Sequence, residues 1–167
     1  MDSGITFHVD ASNGASRRLT VKIEIAGPFT DNILEVRFPR WVPGSYFIRE
    51  PIQHMSELSA TCDGKDTKIK RIDVDGARIT GASGASKIMI TYRLLAAEMT
   101  CRANHLDATH VHIMPPYTWM LPTRGIDKNR IEMNHKVLLI TPDEWHTATQ
   151  LKGVEGEWVA EGRDEFL

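Results

Sequence analysis

The residues with the most chemical potential lie in one run, His105-Leu-Asp-Ala-Thr-His110-Val-His112. Imidazoles and carboxylates are the ligands that borderline divalent metals favour, and three of the chain's seven histidines fall within these eight residues. If 110–114 is a strand, His110 and His112 project from the same face and can share one metal ion. The third ligand would then come from His105, Asp107, His54 or His135, and the chain would be a stand-alone metal-dependent hydrolase. The plainer alternative is two surface histidines flanking a buried Val111, with Ile113 continuing the inward face.

Other reactive groups have structural explanations close at hand. Cys62 with His54 has the composition of a thiol nucleophile and its base. Cys62 nevertheless alternates with Leu58 and Ala60, so a buried, inert thiol is expected. Asp73/Asp75 and Asp143/Glu144 lie near turns, where carboxylates cap backbone amides. Tyr117-Thr-Trp-Met120, after Pro115-Pro116, reads either as an aromatic rim of a groove or as a loop packed on a sheet end. The first of these would make the chain a β-sandwich protein-interaction module. No H-E-x-x-H, G-x-S-x-G, P-loop or G-x-G-x-x-G sequence occurs.

The elements that must carry these residues are strands. Leu19, Val21, Ile23 and Ile25 alternate with Arg18, Thr20, Lys22 and Glu24, which gives one core face and one wet face. Leu34, Val36 and Phe38 repeat the pattern, as do Leu58, Ala60 and Cys62, and then Ile88, Ile90, Tyr92 and Leu94. Val137-Leu-Leu-Ile140 is apolar throughout, as in a strand covered on both faces. Asn13-Gly14, Asp63-Gly64 and Asp75-Gly76 supply turn residues that tolerate positive φ. Short strands separated by turns predict an all-β, antiparallel multi-sheet sandwich or saddle-like fold. No long Pro-, Gly- or Ser-rich linker divides the chain, so residues 1–167 are expected to form a single β-domain.

Composition narrows the function. The 20 Lys and Arg against 22 Asp and Glu leave a net charge of −2, without the basic footprint of a nucleic-acid binder. No apolar run approaches the roughly 18 residues of a membrane span. Cys62 and Cys101 are too few and too far apart for a disulfide framework. The opening residues lack a basic stretch followed by an apolar one, so no signal peptide is expected, and cytoplasm or periplasm would both suit a soluble chain. Phe166-Leu167 closes the sequence on apolar residues, as if a domain had been cut from a longer chain.

The most constrained motif is Phe38-Pro-Arg-Trp-Val-Pro-Gly-Ser-Tyr46. Pro43-Gly44 fits the central pair of a type II turn, with Trp41 and Tyr46 bracketing it, Ser45 between, and a second strand over Tyr46–Arg49. Together with His54-Met-Ser-Glu-Leu-Ser-Ala60, this block resembles the N-terminal β-domain of the glycyl aminopeptidase family of zinc metallopeptidases. The resemblance continues through Ile90-Thr-Tyr92, Arg102-Ala-Asn-His-Leu-Asp107, Pro142-Asp-Glu-Trp145 with Thr147 and Thr149, and Arg163-Asp-Glu-Phe-Leu167. It implies a saddle of antiparallel sheets and a parent protein that also has a thermolysin-like catalytic domain and a PDZ domain. It also implies that zinc and catalysis belong to that catalytic domain, the partner in cis, and that no catalytic residue or metal ligand is carried here. By analogy with related aminopeptidases, the segment Asn104–His112 faces the catalytic domain, with Asn104 or Asp107 contacting the free amine of a peptide substrate.

Overall fold

In the computed structural model, which describes residues 4–42 and 45–166, the alternating segments become strands. They are β1 (Ile5–Asp10), β2 (Arg18–Ala26), β3 (Ile33–Arg37), β4 (Met55–Cys62), β5 (Lys65–Arg71), β6 (Gly76–Thr80) and β7 (Lys87–Leu95). After them come β8 (His105–Leu106), β9 (Val111–His112), β10 (Leu121–Arg124), β11 (His135–Ile140), β12 (Lys152–Val154) and β13 (Glu157–Ala160). Helix is confined to the single turns α1 (Pro115–Thr118), α2 (Lys128–Ile131) and α3 (Arg163–Phe166) and two 3-10 turns. No helix among the described residues is long and apolar enough to cross a membrane.

Eleven strands run in the order β10-β3-β6-β5-β4-β7-β2-β1-β11-β13-β12, and β8 and β9 form a separate hairpin. The long sheet is two sheets hinged at β5. Lys65 to Thr67 pair with β4, whereas Lys68 to Arg71 pair with β6. Every pairing is antiparallel except β1 with β11, which run parallel over Ile5–Asp10 and His135–Ile140. Alternation assigns faces to strands but not neighbours, so it could not foresee that pair.

The inward faces match the alternation. Leu19, Val21, Ile23, Ile25, Leu34, Val36, Phe38, Ile88, Ile90, Tyr92 and Leu94 are all buried. Fully burying one such side chain contributes roughly 2 kcal/mol, so these faces dictate which side of each strand turns inward. Phe7 packs on Trp119 at 5.1 Å between ring centroids, and Phe38 meets Tyr92 edge-on at 5.9 Å. The Tyr92 hydroxyl donates to Thr118 O at 2.6 Å and accepts from Met120 N at 3.3 Å. Those bonds tie the 114–121 segment to the centre of the molecule.

Several local expectations are corrected. β11 is not covered on both faces, because Ile140 is 55 % exposed. Tyr46–Arg49 forms no strand and has no ladder partner. The positive φ near Asn13-Gly14 belongs to Arg17, after a 3-10 turn, and not to Gly14. Gly14 serves by closeness instead, since a Cβ there would stand 2.0 Å from Asp107 O. Asp63 and Gly64 both take positive φ, as a tight β4–β5 hairpin requires.

Candidate functional site

The β8–β9 hairpin holds the histidine run, and its short strands leave a four-residue turn from Asp107 to His110. His105 is opposite His112, and Leu106 is opposite Val111. Asp107 closes the turn on itself: its Oδ1 accepts from Thr109 N at 2.7 Å, Thr109 Oγ1 at 2.7 Å and His110 N at 3.0 Å. Its Oδ2 lies 3.0 Å from His105 Nε2. Hydrogen bonds from His105 and then Thr109 hold the Asp107 carboxyl well below its ordinary value. Asx turns of this kind are local, which is why so short a hairpin holds its shape.

Tertiary folding regroups the histidines. His110 stacks on His105, with centroids 4.9 Å apart, and its Nδ1 lies 3.4 Å from Asp107 Oδ1. His112 instead places its Nδ1 3.1 Å from Ala103 O. Only 111–112 is strand, so the alternation that would align His110 with His112 starts one residue too late. His54 is 3.4 Å from Glu98, and buried His135 is 2.8 Å from Ile131 O, so neither joins the cluster. His54 likewise does not form a pair with Cys62, whose thiol pKa is raised by burial.

Asn104 is almost fully buried and braces the next segment. Its Oδ1 accepts from Met114 N at 2.8 Å and Thr118 Oγ1 at 3.0 Å, and its Nδ2 donates to Tyr117 O at 3.3 Å. Trp119 and Met120 are buried, so the Tyr117–Met120 run packs on the sheet, with Trp119 almost fully covered where it meets the neighbouring groove. The sheet face beyond it carries an open groove of about 980 Å³. His110, Val111, Trp119, Trp145, Leu151 and Trp158 are among the residues that line it.

The Trp41–Arg49 segment contrasts with this polar hairpin. Pro43 and Gly44, the predicted turn pair, lie outside the described residues. On either side of them, Trp41, Tyr46, Phe47 and Ile48 are 60 %, 92 %, 68 % and 65 % exposed. Ser45 N donates to Val42 O at 2.9 Å, and Arg49 Nε donates to Ser45 Oγ at 3.2 Å. The base is held by ions. Asp75 receives Arg37 at 2.7 Å and Arg40 at 2.5 Å, and Asp73 also receives Arg40 at 3.1 Å. Asp73 does cap Val74 N, as its turn position predicts, but Asp75 has this second task, which the sequence reading missed. Its partners are more than thirty residues away in the chain, and no local spacing rule links them.

Comparison with known proteins places this architecture first among the N-terminal domains of aminopeptidase-type enzymes. An aminopeptidase N family protein from Idiomarina loihiensis superposes with a TM-score of 0.84 at 20 % identity, over 97 % of this chain and 28 % of that one. An M1 zinc metallopeptidase from Deinococcus radiodurans aligns over 93 % of this chain and 37 % of its own, at 8 % identity and a TM-score of 0.49. No curated protein matches the chain. The family model described as the Peptidase M61 N-terminal domain matches residues 6–167, and the chain belongs to that family. The chain thus spans less than a third of its solved structural relative from Idiomarina.

Proposed function

We propose that this chain is the non-catalytic N-terminal domain of a bacterial zinc aminopeptidase, packing on the catalytic domain of the same polypeptide and narrowing access to its active site. The observation that carries this reading is the family match over residues 6–167. The exposed apolar segment supports it, because four large hydrophobic side chains concentrated in eight residues of surface are the kind of patch that interfaces cover. In this reading the zinc, the H-E-x-x-H helix and a PDZ domain belong to the rest of the parent protein, and the substrate is a peptide with a free amine. The hairpin lies toward the catalytic domain, and Asn104 and Asp107 would reach that amine by exchanging their present partners.

The test is an assay of the pure 167-residue chain with glycyl and alanyl chromogenic amides. No turnover is expected. Turnover abolished by a chelator would overturn the proposal and favour the stand-alone hydrolase.

A further inference from the structure

The geometry points to a divalent-metal site of the zinc type on the β8–β9 hairpin, with His105, Asp107 and His110 as its three protein ligands. One ligand atom from each residue lies within 4.8 Å of the other two. Two of the separations already approach those of a filled site: His105 Nε2 to Asp107 Oδ2 is 3.0 Å, and His110 Nδ1 to Asp107 Oδ1 is 3.4 Å. Zinc bonds of about 2.0–2.1 Å in a tetrahedron set neighbouring ligand atoms roughly 3.3 Å apart, so from separations within 4.8 Å no pair has to close by more than about 1.5 Å. The His110 side chain is 50 % exposed and can supply it by exchanging the 3.0 Å contact of its Nδ1 with Thr109 Oγ1 for the metal.

The site is also preorganised. Asp107 is fixed by three hydrogen bonds to its own turn, and Gly14 packs directly against Asp107 O. Leu106 N donates to Ala96 O at 2.7 Å, which anchors the hairpin to the chain that follows β7. Holding the ligands in place before the metal arrives removes much of the ordering cost of binding. Two imidazoles and one carboxylate suit zinc better than calcium or magnesium, which require more oxygen ligands. The fourth position is left to water. His110 and Thr109 also line the groove, so a bound metal would stand at the rim of the groove and fasten the hairpin there.

The inference rests on the hairpin alone and not on the aminopeptidase reading. It is tested by titrating zinc chloride into the full chain, expressed without a histidine tag, with calorimetry for stoichiometry and cobalt absorbance for coordination number. One equivalent is expected to bind, with the absorbance of a four-coordinate site. His110→Ala removes a half-exposed ring and should weaken binding at least about tenfold, the scale at which even supporting groups around a metal act. Asp107→Asn should do the same, while His112→Ala should leave binding unchanged. Absence of binding, or binding that survives His110→Ala, would overturn the site. Loss on His112→Ala instead would reassign the metal to the strand pair.

Discussion

The hairpin at 105–112 and the segment at 41–49 hold their shapes by opposite means. In the hairpin, Asp107 gathers Thr109, His110 and His105 around one carboxylate, so its turn is held by contacts within eight residues, with the buried His105 Nδ1 left without a partner. The 41–49 segment has no ladder to lean on and is moored at its base by Arg40 and Arg37 to Asp75, across a gap of more than thirty residues. Its aromatic side chains point outward. The hairpin takes its shape from local contacts around one carboxylate. The 41–49 segment instead leaves Trp41, Tyr46, Phe47 and Ile48 exposed above a base held by distant ion pairs.

The contrast can be broken most forcefully at the mooring. Asp75→Ala strips two guanidinium groups of a buried partner and should destabilise the chain by about 2 kcal/mol in urea unfolding. That lies below the cost for fully buried pairs because Arg40 is half exposed. Proteolysis should then cut first within 41–49. On the other side, Asn104→Ala leaves the Met114 N–H without its acceptor, while Thr118 Oγ1 can still donate to Met114 O, and should cost about 1–3 kcal/mol, measured the same way.

Acid sharpens the comparison within the hairpin. The Asp107 carboxyl titrates below its ordinary 3.8, so its stabilising effect is fully present above that value and is lost as pH falls through the lower, folded-state one. Amide exchange at Thr109 and His110 should therefore stay protected as pH drops through the ordinary carboxylate range. Asp107→Ala should remove that protection at every pH, whereas Asp107→Asn, which keeps an acceptor oxygen, should remove only its pH dependence. The smallest effect belongs to the apolar tip. Trp41→Ser and Phe47→Ser should each change the stability of this chain by less than about 0.5 kcal/mol. In the parent enzyme the same pair should loosen docking of the catalytic domain, read as earlier thermal separation of the two domains.

Much of the fold was legible because strand alternation is a local signal. The buried faces of β2 and β7 follow residue by residue from the sequence, while in β3 Glu35, placed outward by the alternation, is buried as well. Two kinds of feature were not legible. Trp119 reads equally as a groove aromatic or as part of a loop packed on a sheet end until Phe7 is placed against it. His110 and His112 look like partners until the turn rotates His110 onto His105. In both cases, neighbours distant in the chain or a turn of particular length decide the outcome.

By itself the sequence determined the class of the fold, the inward face of most strands, the family resemblance at Trp41–Arg49 and the concentration of imidazoles after residue 104. These depend on side-chain type and on a period of two, both readable along the chain. Only the tertiary structure decided that β1 pairs in parallel with β11, that β5 bends between two sheets, that Asp75 moors Arg40, and that His105, Asp107 and His110 form the cluster. The physical reason is the same throughout. Pairings across space are selected by the packing and electrostatics of the whole core, and no residue carries the address of a partner thirty or more positions away.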